Sequence, residues 1–89
     1  MTKEQKCLEF MEILKNPDKI VKDSDGDLEY YKNDKIYFWY NQKNNQLLCS
    51  YTLIWSVFEK EYSLNHQEIR NLIQNTVKNT FNGMVVIPY

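Results

Sequence analysis

The stretch that most constrains this chain is Lys35-Ile36-Tyr37-Phe38-Trp39-Tyr40, where four consecutive aromatic residues follow an isoleucine. Aromatic and β-branched residues favour strands, and successive side chains on a strand point to opposite faces. A strand with one wet face should alternate apolar and polar residues. This run does not, so both of its faces carry rings. It reads as the central strand of a small sheet, with the flanking segments as partners and cover.

Leu28-Glu-Tyr-Tyr-Lys32 reads as the preceding strand, and Asn33-Asp34 can turn it tightly into the aromatic run. Both turn residues tolerate left-handed backbone angles. Counting outward from a two-residue loop pairs Tyr31 with Ile36, Tyr30 with Tyr37, Glu29 with Phe38 and Leu28 with Trp39. One face then holds Tyr31, Ile36, Phe38 and Tyr40, and the other holds Leu28, Tyr30, Tyr37 and Trp39. A slip of one residue would exchange these sets on one strand.

The remaining segments supply neighbours. Thr2 to Lys15 has helical spacing in Cys7, Phe10, Met11 and Leu14, with Thr2 and Gln5 placed as a capping box and Asn16-Pro17 as the stop. Lys19 to Lys22 fits a short strand, joined to Leu28 by a two-residue turn at Asp25-Gly26. Gln46 to Ser50 returns as a strand after a turn at Lys43-Asn44-Asn45. Tyr51, Ile54, Trp55, Phe58 and Tyr62 then mark a helix capped by Ser50 or Thr52. Asn65 and Glu68 form a second capping box for a helix burying Ile69, Leu72, Ile73, Val77 and Phe81. Gly83 stands where that helix should end, and Met84 to Ile87 reads as a last strand closed by Pro88. The expected fold is therefore α+β. A small antiparallel meander of three to four strands, plus a C-terminal strand, packs with three α-helices in one compact domain spanning residues 1–89.

Length and charge narrow the function. Eighty-nine residues make one domain with one core. A formal net charge of −1 gives no basic field to attract nucleic acid or anionic lipid. No apolar run approaches the ~20 residues a membrane-spanning helix needs, and no apolar segment follows the charged N-terminus as a signal peptide would require. The expectation is a cytoplasmic protein in which Cys7 and Cys49 are buried, reduced thiols.

No catalytic or metal motif holds up. In Asp23-Ser-Asp-Gly-Asp-Leu-Glu29, an EF-hand frame started at Asp23 puts Leu28 where glycine is needed, and a frame set on Gly26 ends at Lys32 instead of a glutamate. Asp18, Glu29 and Lys32 are residue types of a metal-dependent nuclease core, but Glu29 and Lys32 would point to opposite faces of one strand. His66 is the only histidine, and nothing local brings a Ser or Cys beside it. Two isolated glycines cannot build a phosphate loop. The chain is expected to be neither an enzyme nor a cofactor binder.

Two binding readings stand. In the first, the Tyr30, Tyr37 and Trp39 face is an exposed patch that meets a protein partner, or a second copy of the chain, in a small accessory or inhibitory module. Tyrosine and tryptophan suit this because each has an apolar body and a polar tip. The competing structural account has helices covering both faces. In the second binding reading, the last helix enters a DNA major groove after a helix-turn-helix, presenting Arg70, Asn71, Gln74 and Lys78. Against it, few phosphate contacts are on offer.

Overall fold

The computed structural model describes residues 1–80 and the strand 85–88. The elements run α1 (Lys3–Lys15), β1 (Lys19–Lys22), β2 (Leu28–Lys32), β3 (Lys35–Asn41), β4 (Gln46–Cys49), a π-helical turn (Tyr51–Trp55), α2 (Ser56–Tyr62), α3 (His66–Thr80) and β5 (Val85–Pro88). The fold is α+β. One five-stranded sheet has its strands in sequence order, β1-β2-β3-β4-β5. The first four pair antiparallel, and β5 lies parallel to β4.

Local chemistry explains most boundaries. The Thr2 hydroxyl accepts from the Gln5 N–H at 3.2 Å while Gln5 Oε1 accepts from the Thr2 N–H at 2.9 Å, closing the capping box of α1. Asn65 and Glu68 do the same for α3, at 2.9 and 3.4 Å. Ser50, and not Thr52, caps the π-helical turn through the Leu53 N–H. Asn33 and Asp34 both take positive φ, 51° and 61°, which is the pattern of a tight two-residue hairpin turn.

The turn between β1 and β2 departs from expectation. Lys22 pairs with Leu28, so residues 23–27 form a five-residue loop and Asp25-Gly26 is only its tip. Asp23 organises it, its Oδ1 accepting from the N–H groups of Asp25 and Asp27 at 2.9 Å each. Gly26 takes φ 86°, an angle that a side chain disfavours even though a Cβ there would meet only the Lys22 side chain, at 3.9 Å.

The helix expected from Tyr51 onward begins instead as a wider π turn, in which the Ser56 N–H bonds the Tyr51 carbonyl. The wide turn leaves Tyr51 at the surface while Ile54, Trp55 and Phe58 are fully buried. Phe81, expected on the buried stripe of the last helix, Gly83, expected to end it, and Met84, expected to open the last strand, lie outside the described residues, and the final strand spans Val85–Pro88.

One core unites the molecule. Cys7, Phe10, Met11 and Leu14 of α1 meet Phe38, Leu47 and Cys49 of the sheet, and Ile54, Trp55, Phe58, Ile69, Ile73 and Val77 complete the cluster. Phe38 pairs with Cys49, and Tyr40 with Leu47, so all three buried sheet residues share one face. The helices therefore cover that face. Both cysteines are free and buried, and the Cys7 thiol contacts the Thr76 hydroxyl at 3.1 Å.

Candidate functional site

The hairpin register decides which aromatic residues belong together. Tyr31 pairs with Ile36 as counted from the turn, but the ladder then shifts. Tyr30 faces Phe38, Glu29 faces Trp39 and Leu28 faces Tyr40. Tyr37 is the extra residue of a β-bulge, left without a partner on β2. Its carbonyl is not wasted, since it accepts the Ser50 N–H at 3.0 Å just beyond β4.

This bulge corrects the expected face of Tyr30, Tyr37 and Trp39. Tyr30 and Tyr37 turn to the helix side, where both pack against the core and the Tyr37 ring lies 6.3 Å from that of Phe10. Burial raises the Tyr30 phenol above its usual pKa, and the charge of Tyr40 adds to that. Trp39 alone of the three points to the other side. There its cross-strand neighbours are Glu29 and Leu48, and Val21 follows beyond Glu29 on β1. The same face carries Tyr31 and Ile36. The physical reason is that α1 and the end of β4 both draw Tyr37 and Phe38 toward the core, which a regular ladder could not do for adjacent residues.

The open face is thus built from Val21, Tyr31, Ile36, Trp39 and Leu48. Among the described residues none of these joins the core cluster or packs against it. Val21 is 37% exposed and the others are half-buried. The Lys19 ammonium sits 4.5 Å from the Tyr31 ring centroid, a cation–π contact at the rim. Val21, Tyr31, Ile36 and Leu48 are the residues the sequence reading missed. The signal was present in the alternation of β4, where Leu48 lies between Leu47 and Cys49 and must face away from them.

The other candidate residues are dispersed. Arg70, Asn71 and Lys78 are exposed on α3, while Gln74 is half-buried. Asn71 already accepts a hydrogen bond from Gln67 at 3.0 Å. His66 opens α3 with Nε2 2.9 Å from Glu59 Oε1 and 3.3 Å from the Tyr51 hydroxyl. Tyr51 in turn donates to both Glu59 oxygens, at 2.9 and 3.0 Å, and this bond raises its phenol above the usual 10.0. These contacts pin the π turn to the start of α3. Asp18 pairs with Lys32 at 3.1 Å and accepts the Asn33 N–H at 2.8 Å, while Glu29 stands on the opposite face of β2. Among the described residues no group of three metal-ligating side chains converges, and no helix is long and apolar enough to cross a membrane.

Compared with protein-family models, curated proteins and solved structures, the chain finds no match.

Proposed function

We propose that this protein is a non-catalytic interaction module that binds a protein partner through the open face of its sheet. The observation that carries the reading is the set Val21, Tyr31, Ile36, Trp39 and Leu48, gathered on one face while every helix packs on the other. Contiguous apolar surface of this kind marks contact sites. The aromatic anchors Trp39 and Tyr31 are the residue types that dominate binding energy; Lys19 marks the edge of the face beside Tyr31, and Glu29 sets one carboxylate within it, between Val21 and Trp39. Affinity capture from the native host with wild type and Trp39→Ala, alongside sedimentation of both, tests it. Loss of a captured protein or of a self-associated species in the variant supports the reading. An unchanged set of partners and an unchanged sedimentation coefficient would remove it.

The alternative, DNA binding by Arg70, Asn71, Gln74 and Lys78, has weaker support. That helix face offers two cations and the chain carries a net charge of −1. A duplex shift at low salt that disappears in Arg70→Ala/Lys78→Ala would favour it over the open face.

A further inference from the structure

On the helix-covered side, away from the open face, a cleft of about 390 Å³ lies between α1 and the β2–β3 turn. Phe10, Ile13 and Tyr37 give it an apolar wall, and Glu9 and Glu12 bring two carboxylates to it from successive turns of α1. The Phe10 and Tyr37 rings are 6.3 Å apart and inclined at 34°, so they form a bent aromatic surface. One cation also lines the cleft, Lys32, but its ammonium is held by Asp18 at 3.1 Å. We propose that this cleft binds a small organic ammonium cation, with Phe10 and Tyr37 against its alkyl groups and Glu9 and Glu12 against its charge.

Three observations select that chemistry. An anion would meet two carboxylates, Glu9 beside the Lys6 ammonium and Glu12 accepting from the Asn16 amide, and the one lining cation, Lys32, is already held by Asp18. A neutral apolar ligand would strip water from Glu9 and Glu12 and return nothing for it. The chain itself already uses this recognition: the Lys6 ammonium sits 5.3 Å from the Phe10 ring centroid and 3.4 Å from Glu9. Aromatic faces attract ammonium groups through the ring quadrupole, more strongly when water is displaced. The volume is at the small end for ligand sites, which suits a compact cation.

Choline chloride is the probe, and 3,3-dimethyl-1-butanol is its uncharged isostere. Each is titrated into the full chain at constant ionic strength, and the Phe10 and Tyr37 ring protons are followed by NMR. Choline should give saturable shifts of both rings, and the neutral isostere should bind about tenfold more weakly or not at all. Glu9→Gln/Glu12→Gln, at exposed positions that leave the core intact, should weaken choline binding by about tenfold. Lys6→Met, which removes the internal competitor from Phe10, should tighten it by about threefold. Absence of ring shifts, equal binding of the isostere, or a doubly neutralised cleft that binds as well as wild type would each overturn the assignment.

Discussion

Phe38 and Trp39 are neighbours in sequence and opposites in use. Phe38 is fully buried among residues of α1, the π turn, α2 and α3. Trp39 stands on the other side of the same strand, with Leu48 across from it and no place in the core cluster. Around Phe38 the bulge adds Tyr37 to the covered side, so that face gains a ring which the open face would otherwise have held. The contrast shows how a domain of this size can stabilise itself on one side of a sheet. The other side carries half-buried apolar residues outside the core cluster. It also separates two properties that sequence hydrophobicity merges, since both faces are aromatic and only one is a core.

Substitutions can break or sharpen this contrast. The largest effect is expected from Phe38→Ala, which should cost about 3–5 kcal/mol in urea unfolding because it empties a fully enclosed site. Trp39→Ala should cost less, about 1–2 kcal/mol, because the ring is half-buried rather than enclosed. Equal losses in the two variants would erase the distinction between the faces. Trp55→Phe comes next. Among the described residues the buried indole Nε1 has no hydrogen-bond partner, so the lost packing should be partly offset by removal of an unsatisfied donor. A net loss of about 1 kcal/mol is expected, well under the Phe38→Ala value; a loss matching it would mean that the indole N–H is satisfied after all. Asp34→Gly should stabilise by about 0.5–1 kcal/mol, since φ 61° in a two-residue turn suits glycine, and the register on both faces should stay fixed. Destabilisation there would show that the Asp34 side chain contributes more than its strained backbone costs.

The smallest effect concerns acid. The Asn33 N–H, and then Lys32, hold the Asp18 carboxyl below its ordinary value of 3.8. Because the folded value is the lower one, the contribution is complete above pH 3.8 and is lost as pH falls through the folded value. Asp18 is exposed, so the effect should be small and should weaken with added salt. A ¹³C titration of the carboxyl reads it directly. A midpoint at or above 3.8 would show that the clamp on the β2–β3 turn does not form.

Local chemistry was the legible part of this fold. The Thr2–Gln5 and Asn65–Glu68 boxes and the Asn33-Asp34 turn each involve residues within a few positions, so the sequence shows both halves of each interaction. The bulge at Tyr37 was not legible, because it answers to Phe10 on α1 and to Ser50 beyond β4, which counting along one hairpin does not reach. Counting from the turn therefore gave Tyr31–Ile36 correctly and misplaced Tyr30 and Tyr37. The same limit hid the π turn, where one extra residue per turn moves Tyr51 out of a stripe that a regular helix would have buried. The cleft under Tyr37 was hidden for the same reason, since its aromatic wall exists only once the bulge is made.

The parallel pairing of β5 with β4 bears on the order in which the molecule assembles. β1 to β4 are joined by short loops and can zip together as each is made, but Gln46 meets Val85 only after two helices have intervened. Closing so long a loop carries a larger entropic cost than closing a hairpin, and it delays the contact. Until then the outer edge of β4 presents unpaired backbone beside Leu47 and Leu48, which is where a partly folded chain would pair with another. The open edge of β4 is thus a transient one, unlike that of β1, and docking of α3, which delivers β5, is the step that closes it.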